Sequence, residues 1–238
     1  MACPEPRPTI RAGTGLSTEE AAWLQQRRNH TGPALRTVLS RANIKGIDVD
    51  SYLQSLIDKD ETLPSIGIAF SGGGYRAMMN GAGALAAFDD RTANATSPGQ
   101  LGGILQAATY ISGLSGGSWL VGSIYLQNFT TVESITSATS GFLSSIWQFN
   151  ETILRGKYSS RYPHTDGHLH YDSGPAGLST GEYYRQVSGA VDAKLNAGYE
   201  TTITDFWGRA LSYQLYNASD GGPGRRECLW VAIVRGYS

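Results

Sequence analysis

The chain has 238 residues, 40% of them hydrophobic, and its formal net charge is −1. This length suffices for a domain with a sizeable core, while the near-neutral charge gives no electrostatic field that would attract nucleic acid. No apolar run reaches the roughly 20 residues of a transmembrane helix, so we expect neither nucleic-acid binding nor a transmembrane segment.

Residues 1–62 predict a helical region that contains no catalytic residue. Ser17 and Glu20 fit a capping box at the start of a first helix. Pro33 suits the first position of a helix, so we expect a second helix to begin there. Asp48 can cap a third helix. The apolar positions on one face of that third helix are Val49, Tyr52, Leu53 and Leu56.

A glycine-rich loop lies between the first predicted strand, residues 66–70, and an apolar helix over residues 77–88. Its three successive glycines are Gly72, Gly73 and Gly74. Their backbone N–H groups can point into one concavity, which is the kind of site that binds an oxyanion or a phosphate. Arg76 can add a bidentate contact to phosphate, or it can be an ordinary surface or ion-paired arginine.

A serine between glycines lies in the second predicted unit, between an apolar strand at residues 108–111 and a helix at residues 119–126. The sequence G-L-S-G-G is the pattern of a nucleophile elbow, with Ser115 at a strained apex between strand and helix. The glycines that so tight a turn requires are Gly113, Gly116 and Gly117. The alternative is a glycine- and serine-rich turn without chemistry.

Two strand–turn–helix units in succession predict an α/β fold with a mostly parallel sheet and helices on both faces. The glycine loop and the serine turn would then both follow the carboxyl ends of strands. This is the edge at which α/β sheets bind ligands. We therefore expect the two motifs to form one site.

Residues 155–178 predict a long surface loop with several groups that can bind metal or transfer protons. These are His164, Asp166, His168 and His170. No helical or hairpin framework fixes their spacing, so we expect no metal site and no cofactor. Beyond the loop, helices are expected after residues 181–184 and 205–209. Asp205 fits an N-cap, and Asp220 fits a turn.

The two glycine-rich motifs resemble the fungal lysophospholipase (phospholipase B) family. S-G-G-G-Y-R-A at residues 71–77 and G-L-S-G-G-S-W at residues 113–119 carry the resemblance, and T-D-F-W-G-R-A-L-S-Y-Q-L at residues 204–215 extends it. The likeness runs from about Cys3 to about Pro223. The catalytic domain of this family is related to cytosolic phospholipase A and, more distantly, to patatin.

The resemblance implies a domain organisation. Residues 1–224 would be the N-terminal part of a single catalytic domain, apparently truncated. Within this part, residues 1–62 would form a helical collar and residues 63–224 the α/β core. Residues 225–238 depart from the family pattern and would be a divergent tail.

The resemblance also implies a reaction and its residues. The family hydrolyses acyl esters of phospholipids and lysophospholipids at a micelle or membrane surface, with a serine–aspartate dyad and without histidine, metal or cofactor. Carried over, Ser115 attacks the ester carbonyl and Arg76 contacts the substrate phosphate. The oxyanion would be held by the backbone N–H groups of Gly73 and Gly74, with Gly72 completing the loop.

The partner aspartate is the missing part of this resemblance. In the family it lies in a later D-G-G or D-S-G stretch, which we expect beyond residue 238. Asp220 stands in a D-G-G, although its surroundings match a different family segment. We therefore expect this chain, made alone, to be inactive and poorly folded.

Five N-x-S/T sequons favour a secreted glycoprotein, since about one or two would arise by chance in a chain this rich in Ser and Thr. They begin at Asn29, Asn94, Asn128, Asn150 and Asn217. No signal peptide follows Met1, whereas the resemblance implies a secreted or cell-wall enzyme, so we expect a leader that precedes this sequence. Cys3 and Cys228 could pair, and the sequence does not decide it.

Other functions fit the same residues. One is a Ser-His-acid α/β-hydrolase that uses His164, His168 or His170, which inactivation by a histidine-specific reagent would favour. Another is a non-catalytic glycoprotein whose glycine loop binds phosphate, which absence of labelling by a fluorophosphonate would favour. A third is an inactive fragment of the enzyme.

Overall fold

A computed structural model describes residues 12–58, 63–137, 147, 149, 153 and 180–215. The chain divides into two compact units, residues 1–134 and 135–238. Several of the predicted features lie outside the described residues. They are the loop at 155–178 with its histidines, both cysteines, Asn150, Asn217, Asp220 and residues 225–238.

The described elements combine helices with a small parallel sheet, which confirms the predicted α/β character. In chain order they are α1 (Thr18–Ala42), α2 (Val49–Asp58), β1 (Ile66–Phe70), α3 (Gly74–Phe88), α4 (Ile104–Ala107), β2 (Ala108–Gly113), α5 (Gly116–Leu126), α6 (Val132–Thr136), α7 (Thr180–Asn196) and α8 (Ile203–Leu215).

The two strands end at the same edge of the sheet. β1 pairs with β2 in parallel, and Phe70, the last residue of β1, lies opposite Gly113, the last residue of β2. The backbone N–H of Leu114 then donates to the carbonyl oxygen of Phe70 at 2.9 Å. Because both chains turn into helices directly after this bond, the glycine loop and the serine turn emerge side by side, as the sequence predicts.

Helices α3 and α5 pack closely behind the strands because small residues line their contact. A Cβ on Gly81 of α3 would lie 2.9 Å from both Leu120 Cδ2 of α5 and Phe70 Cδ1 of β1. Met78 and Leu120 are fully buried in this layer. A larger residue at position 81 would push α3 away from the strand whose end it follows.

The N-terminal region differs from the prediction, because Thr18–Ala42 is one helix with Pro33 inside it. Its start is confirmed, since the backbone N–H of Glu20 donates to Ser17 Oγ at 3.0 Å. A proline costs a helix one hydrogen bond, but both halves of α1 are fixed to the same unit. Arg27, before the proline, donates to the carbonyl oxygen of Ala108 at 2.7 Å, and Arg41, after it, donates to that of Gly102.

The predicted cap of α2 is confirmed, and one residue of its predicted apolar face is exposed. Asp48 Oδ1 accepts from the backbone N–H of Ser51 at 3.1 Å, and this bond is the first cause of a lowered pKa of Asp48. Val49 and Leu53 are buried against Leu35 of α1. Tyr52 is exposed, and its phenol hydroxyl can stay in contact with water there.

The second unit contains α7 and α8, as the sequence predicts. Tyr183 and Val187 of α7 are buried with Tyr213 of α8, whose hydroxyl donates to Gln186 Oε1 at 2.8 Å.

The predicted N-cap of α8 is wrong by three residues. Asp205 lies in the first turn and reaches back to accept from the backbone N–H of Thr202 at 2.8 Å, so Thr202 precedes the helix in a capping box. A hydrogen bond from Lys194 is the main reason that the pKa of Asp205 is lowered.

Candidate active site

The serine turn has the geometry of a nucleophile elbow. Ser115 follows β2 and is the N-cap of α5, with φ 51° and ψ −120°. A non-glycine residue rarely adopts this conformation, which carries a strain of about 1–3 kcal/mol. Three bonds hold the turn: the N–H groups of Ser118 and Trp119 and the hydroxyl of Ser118 all donate to the carbonyl oxygen of Ser115. The turn leaves the side chain of Ser115 exposed at the start of the helix.

The glycines around Ser115 lie where backbone segments meet. A Cβ on Gly113 would overlap the backbone of Gly117, and a Cβ on Gly117 would overlap the carbonyl of Phe70. The turn itself therefore requires a glycine two positions before the serine. The neighbouring strand β1 requires one two positions after it.

The glycine loop lies directly against the serine turn. A Cβ on Gly72 would lie 2.8 Å from Ser115 Cβ, and a Cβ on Gly116 would overlap the carbonyl of Gly74. These two contacts join the end of the first strand–turn–helix unit to that of the second. The two predicted motifs thus lie in close backbone contact.

Several backbone N–H groups near this contact have no carbonyl partner in the described part of the chain. Gly73 and Gly74 have φ values of 131° and 69°, which glycine adopts easily. In residues 63–137 no backbone carbonyl accepts a hydrogen bond from Gly72, Gly73 or Gly74. The same holds for Gly116, which we predicted only as a turn glycine. The general rule that the residue after the nucleophile supplies an oxyanion donor could have identified it.

Arg76 lies on the first turn of α3 and lines an open pocket of about 640 Å³ with Ser71, Gly72 and Gly73. Its side chain is exposed, and no described carboxylate forms a salt bridge with it. The alternative of an ion-paired arginine therefore has no support in the described residues. Ser115 is not among the residues that line this pocket, which extends along β1 and α3.

An aromatic pair crosses between the two helices of the site. The rings of Tyr75, at the start of α3, and Trp119, in the first turn of α5, have centroids 5.4 Å apart. Burial raises the pKa of Tyr75 to about 12. Since each ring follows one of the turns closely, their contact helps to hold the glycine loop against Ser115.

The described residues supply no base for the serine. Within residues 12–58, 63–137 and 180–215, no side chain forms a hydrogen bond with Ser115 Oγ. The histidines of the 155–178 loop and Asp220 lie outside the described residues, so their candidate roles stay predictions. The described residues contain no group of three or more His, Cys, Asp or Glu side chains that could hold a metal ion. None of the described helices combines the length and the hydropathy that crossing a membrane requires.

Several known proteins are similar to this sequence. A family model of the lysophospholipase catalytic domain matches residues 66–230. Lysophospholipase 2 of Aspergillus fumigatus is 53% identical over 222 residues, which cover 93% of this chain and 35% of that protein. Lysophospholipase 1 of the same species is 49% identical over 235 residues, which cover 98% of this chain and 34% of that protein.

A more distant relative is lysophospholipase 3 of Saccharomyces cerevisiae, 38% identical over 224 residues, which cover 93% of this chain and 30% of that protein. The chain thus spans about a third of the length of the curated relatives it matches. No solved structure matches the chain significantly.

Proposed function

The chain belongs to the family of lysophospholipase catalytic domains, and on this premise we propose that it is the nucleophile-bearing part of a lysophospholipase or phospholipase B. The family membership confirms the resemblance read from the two glycine-rich motifs. The proposed reaction is hydrolysis of the acyl ester of a glycerophospholipid or lysophospholipid. A patatin-like or cytosolic-phospholipase-like extension of the small parallel sheet is part of the proposal.

The strained turn at Ser115 is the observation that carries this proposal. Ser115 has a positive φ and lies at the N-terminus of α5, with its side chain exposed. Its hydroxyl can therefore reach the carbonyl carbon of a substrate. The attack forms a bond from Ser115 Oγ to that carbon and moves the carbonyl π electrons to oxygen. The dipole of α5 favours the negative charge that develops nearby.

The glycine loop is the proposed oxyanion hole. The N–H groups of Gly73 and Gly74, with that of Gly116, have no carbonyl acceptor in the described residues and lie beside Ser115. One well-placed donor of this kind typically stabilises the transition state by about 3 kcal/mol. The close contact between Gly72 and Ser115 keeps the donors near the carbon under attack.

Arg76 is the proposed contact to the substrate phosphate. Its guanidinium can donate two parallel hydrogen bonds to a phosphodiester, and it lines the open pocket next to the glycine loop. A substrate whose ester lies at Ser115 can thus direct its headgroup toward Arg76. No cofactor is needed for this reaction.

An aspartate is the proposed partner of the serine. A serine hydroxyl is a weak nucleophile until a base accepts its proton. Because no described carboxylate bonds to Ser115 Oγ, we propose that the aspartate comes from a part of the protein outside the described residues, as the family resemblance implies. When the tetrahedral intermediate collapses, the bond between the former carbonyl carbon and the ester oxygen breaks, and that oxygen takes the proton from the base and leaves as the alcohol of a lysolipid or a glycerophosphodiester. Water then gives a proton to the base and attacks the acyl-serine, which releases the fatty acid and returns the proton to Ser115 Oγ.

We also propose that the protein passes through the secretory pathway and acts outside the cell or at the cell wall on phospholipid in micelles or membranes. The five sequons support this location. Of these, Asn29, Asn94 and Asn128 lie in the described residues, and all three side chains are exposed.

The proposed function is tested with the full protein that carries this chain. A fluorophosphonate should label Ser115, and wild-type protein should release fatty acid from lysophosphatidylcholine. Ser115→Ala should abolish both, with the loss of turnover reaching about 10⁴-fold or more. Circular dichroism should show an unchanged fold. A Ser115→Ala protein that keeps substantial turnover, or a wild-type protein that the probe does not label, would remove the nucleophile from Ser115.

A further inference from the structure

The turn that follows α5 combines a glycosylation sequon with an exposed aromatic pair. Asn128 lies in this turn with φ 55°, and the next residue, Phe129, has φ 52°. The N–H of Asn128 donates to the carbonyl of Tyr125 at 3.1 Å, and the N–H of Thr130 donates to that of Gln127 at 3.1 Å. These bonds hold the sequon N-F-T in a fixed turn on the surface.

The aromatic pair lies on the same turn. Tyr125 is three residues before Asn128 and its side chain is 56% exposed, while Phe129 is 37% exposed. Their rings meet edge to face, with centroids 5.8 Å apart. This contact fixes the Tyr125 ring and leaves much of it open to solvent, one helical turn before the asparagine whose N–H bonds to the Tyr125 carbonyl.

We propose that Asn128 is an N-glycosylation site whose first sugar packs on the ring of Tyr125. The inference rests on the proposed passage through the secretory pathway and goes beyond it, since it assigns one site and a contact for its glycan. The C–H bonds of a pyranose face are slightly positive and fit the negative face of an aromatic ring. A sugar linked to Asn128 Nδ2 covers apolar surface that otherwise faces water.

The modification is a group transfer from a lipid diphosphate oligosaccharide. A bond forms between C1 of the first sugar and Asn128 Nδ2, and the bond between C1 and the diphosphate oxygen breaks. The lipid diphosphate leaves, and the amide nitrogen gives up one proton. The transferase supplies the base, and no oxidant or reductant takes part.

Asn94 provides a matched control within the same unit. It begins the sequon N-A-T, is exposed, and has φ 62°, close to the value at Asn128. The residue three positions before it is Arg91, and the residue after it is Ala95, so this sequon has no aromatic neighbour in sequence. The two sites therefore share exposure and backbone conformation and differ in the aromatic pair.

The test uses the full protein secreted from a eukaryotic host. Peptide mass spectrometry should find a glycan at Asn128 as well as at Asn94. Peptide N-glycosidase acting on native protein should remove the Asn128 glycan severalfold more slowly than the Asn94 glycan, because packing on Tyr125 hides the sugar–asparagine bond. After denaturation the two rates should be equal.

Two variants identify the contact. Tyr125→Ala should raise the native rate at Asn128 to that at Asn94 and leave Asn94 unchanged, whereas Tyr125→Phe should keep the slow rate. A bare Asn128 beside an occupied Asn94 would overturn this inference and leave the secretory pathway in place. Two bare sites in the secreted protein would also overturn this inference, whereas failure of the full protein to enter the secretory pathway of its host would overturn the proposed location. An Asn128 rate that ignores Tyr125→Ala would overturn the contact with the ring.

Discussion

The two strand–turn–helix connections of the site both turn through residues with positive φ, but they use different residue types. After β1 the chain turns through Gly73 and Gly74, both at positive φ, and presents N–H groups. After β2 it turns through Ser115, also at positive φ, and presents a hydroxyl. One turn uses the residue type for which this backbone is easy, and the other places a side chain where the backbone opposes it.

Under the proposed function, this difference separates a turn that would bind the oxyanion from a turn that would carry the nucleophile. A donor loop needs bare backbone, so glycine serves it without strain. A nucleophile needs a side chain at the apex, so the strain of Ser115 is kept and is balanced by the bonds that its carbonyl accepts. Exposed Leu114 beside Ser115 fits the same proposal, since an acyl chain offers it an apolar partner.

Adding a methyl group to the donor turn tests this comparison most strongly. Gly72→Ala places a Cβ 2.8 Å from Ser115 Cβ, so the loop must shift and its donors move away from the carbonyl under attack. We expect kcat to fall about 10²–10³-fold, the usual effect of losing an oxyanion donor. Gly116→Ala, which would overlap the Gly74 carbonyl, should lower both activity and stability, the latter by about 1–3 kcal/mol.

Gly83→Ala is the matched control for both. Gly83 lies inside α3, and nothing is within 4 Å of a Cβ added there. Activity should be unchanged and stability equal or slightly higher, because alanine favours a helix over glycine. Hydrolysis of lysophosphatidylcholine and urea unfolding measure the three variants. Full activity in Gly72→Ala would separate the glycine loop from the chemistry.

The turns differ from other parts of the chain in how well the sequence predicts them. β1, the Ser17 cap and the serine elbow follow from residues within one short window, so local patterns suffice. The continuous helix through Pro33 does not, because it depends on Arg27 and Arg41 reaching carbonyls far along the chain. Contacts of that kind leave no local signal in the sequence.

The site shows the same division. The sequence predicts Ser115, the glycine loop and Arg76 as site residues, and the expectation that they meet rests on a rule about parallel strands. The contact of Gly116 with Gly74 is a packing detail between distant residues, so it became visible only in the structure. A capping box and a simple N-cap also look alike in sequence, which is why Asp205 was misplaced relative to Thr202.

Substitution of Arg76 tests whether phosphate binding next to the glycine loop can be separated from ester hydrolysis at Ser115. Arg76→Lys keeps the charge and loses the planar fork, so turnover of lysophosphatidylcholine should fall about tenfold. Turnover of a neutral p-nitrophenyl ester should stay the same, because that substrate carries no phosphate. Arg36 is an exposed arginine of α1 that forms a salt bridge with Asp50 of α2, and Arg36→Lys should change neither rate. Equal losses on both esters in Arg76→Lys would assign Arg76 a structural role.

The strain at the serine turn predicts that a glycine variant is more stable than an alanine variant at this position, the reverse of the usual order in a helix. At φ 51° and ψ −120°, Ser115→Gly should be more stable than Ser115→Ala by about 1 kcal/mol, since glycine relieves the strain. At Ser118, inside α5, glycine should instead be less stable than alanine by up to about 1 kcal/mol. The free energy of unfolding in urea measures all four. The same order at both positions would mean that Ser115 carries no strain.

The smallest effect concerns the ring that joins the two turns. Burial raises the pKa of Tyr75 to about 12, above its usual value near 10, so the folded protein favours the neutral phenol. That contribution to stability is complete below about pH 10 and is lost as the pH rises toward 12. Tyr75→Phe keeps the ring against Trp119 and has no proton to lose, so its unfolding free energy should decline less over this range. Tyrosinate absorbance should show one late-titrating group in the wild type that is absent from the variant. If the wild type and Tyr75→Phe lose stability in parallel between pH 10 and 12, the Tyr75 hydroxyl is open to water. The ring of Tyr75 is then not buried between the glycine loop and the serine turn.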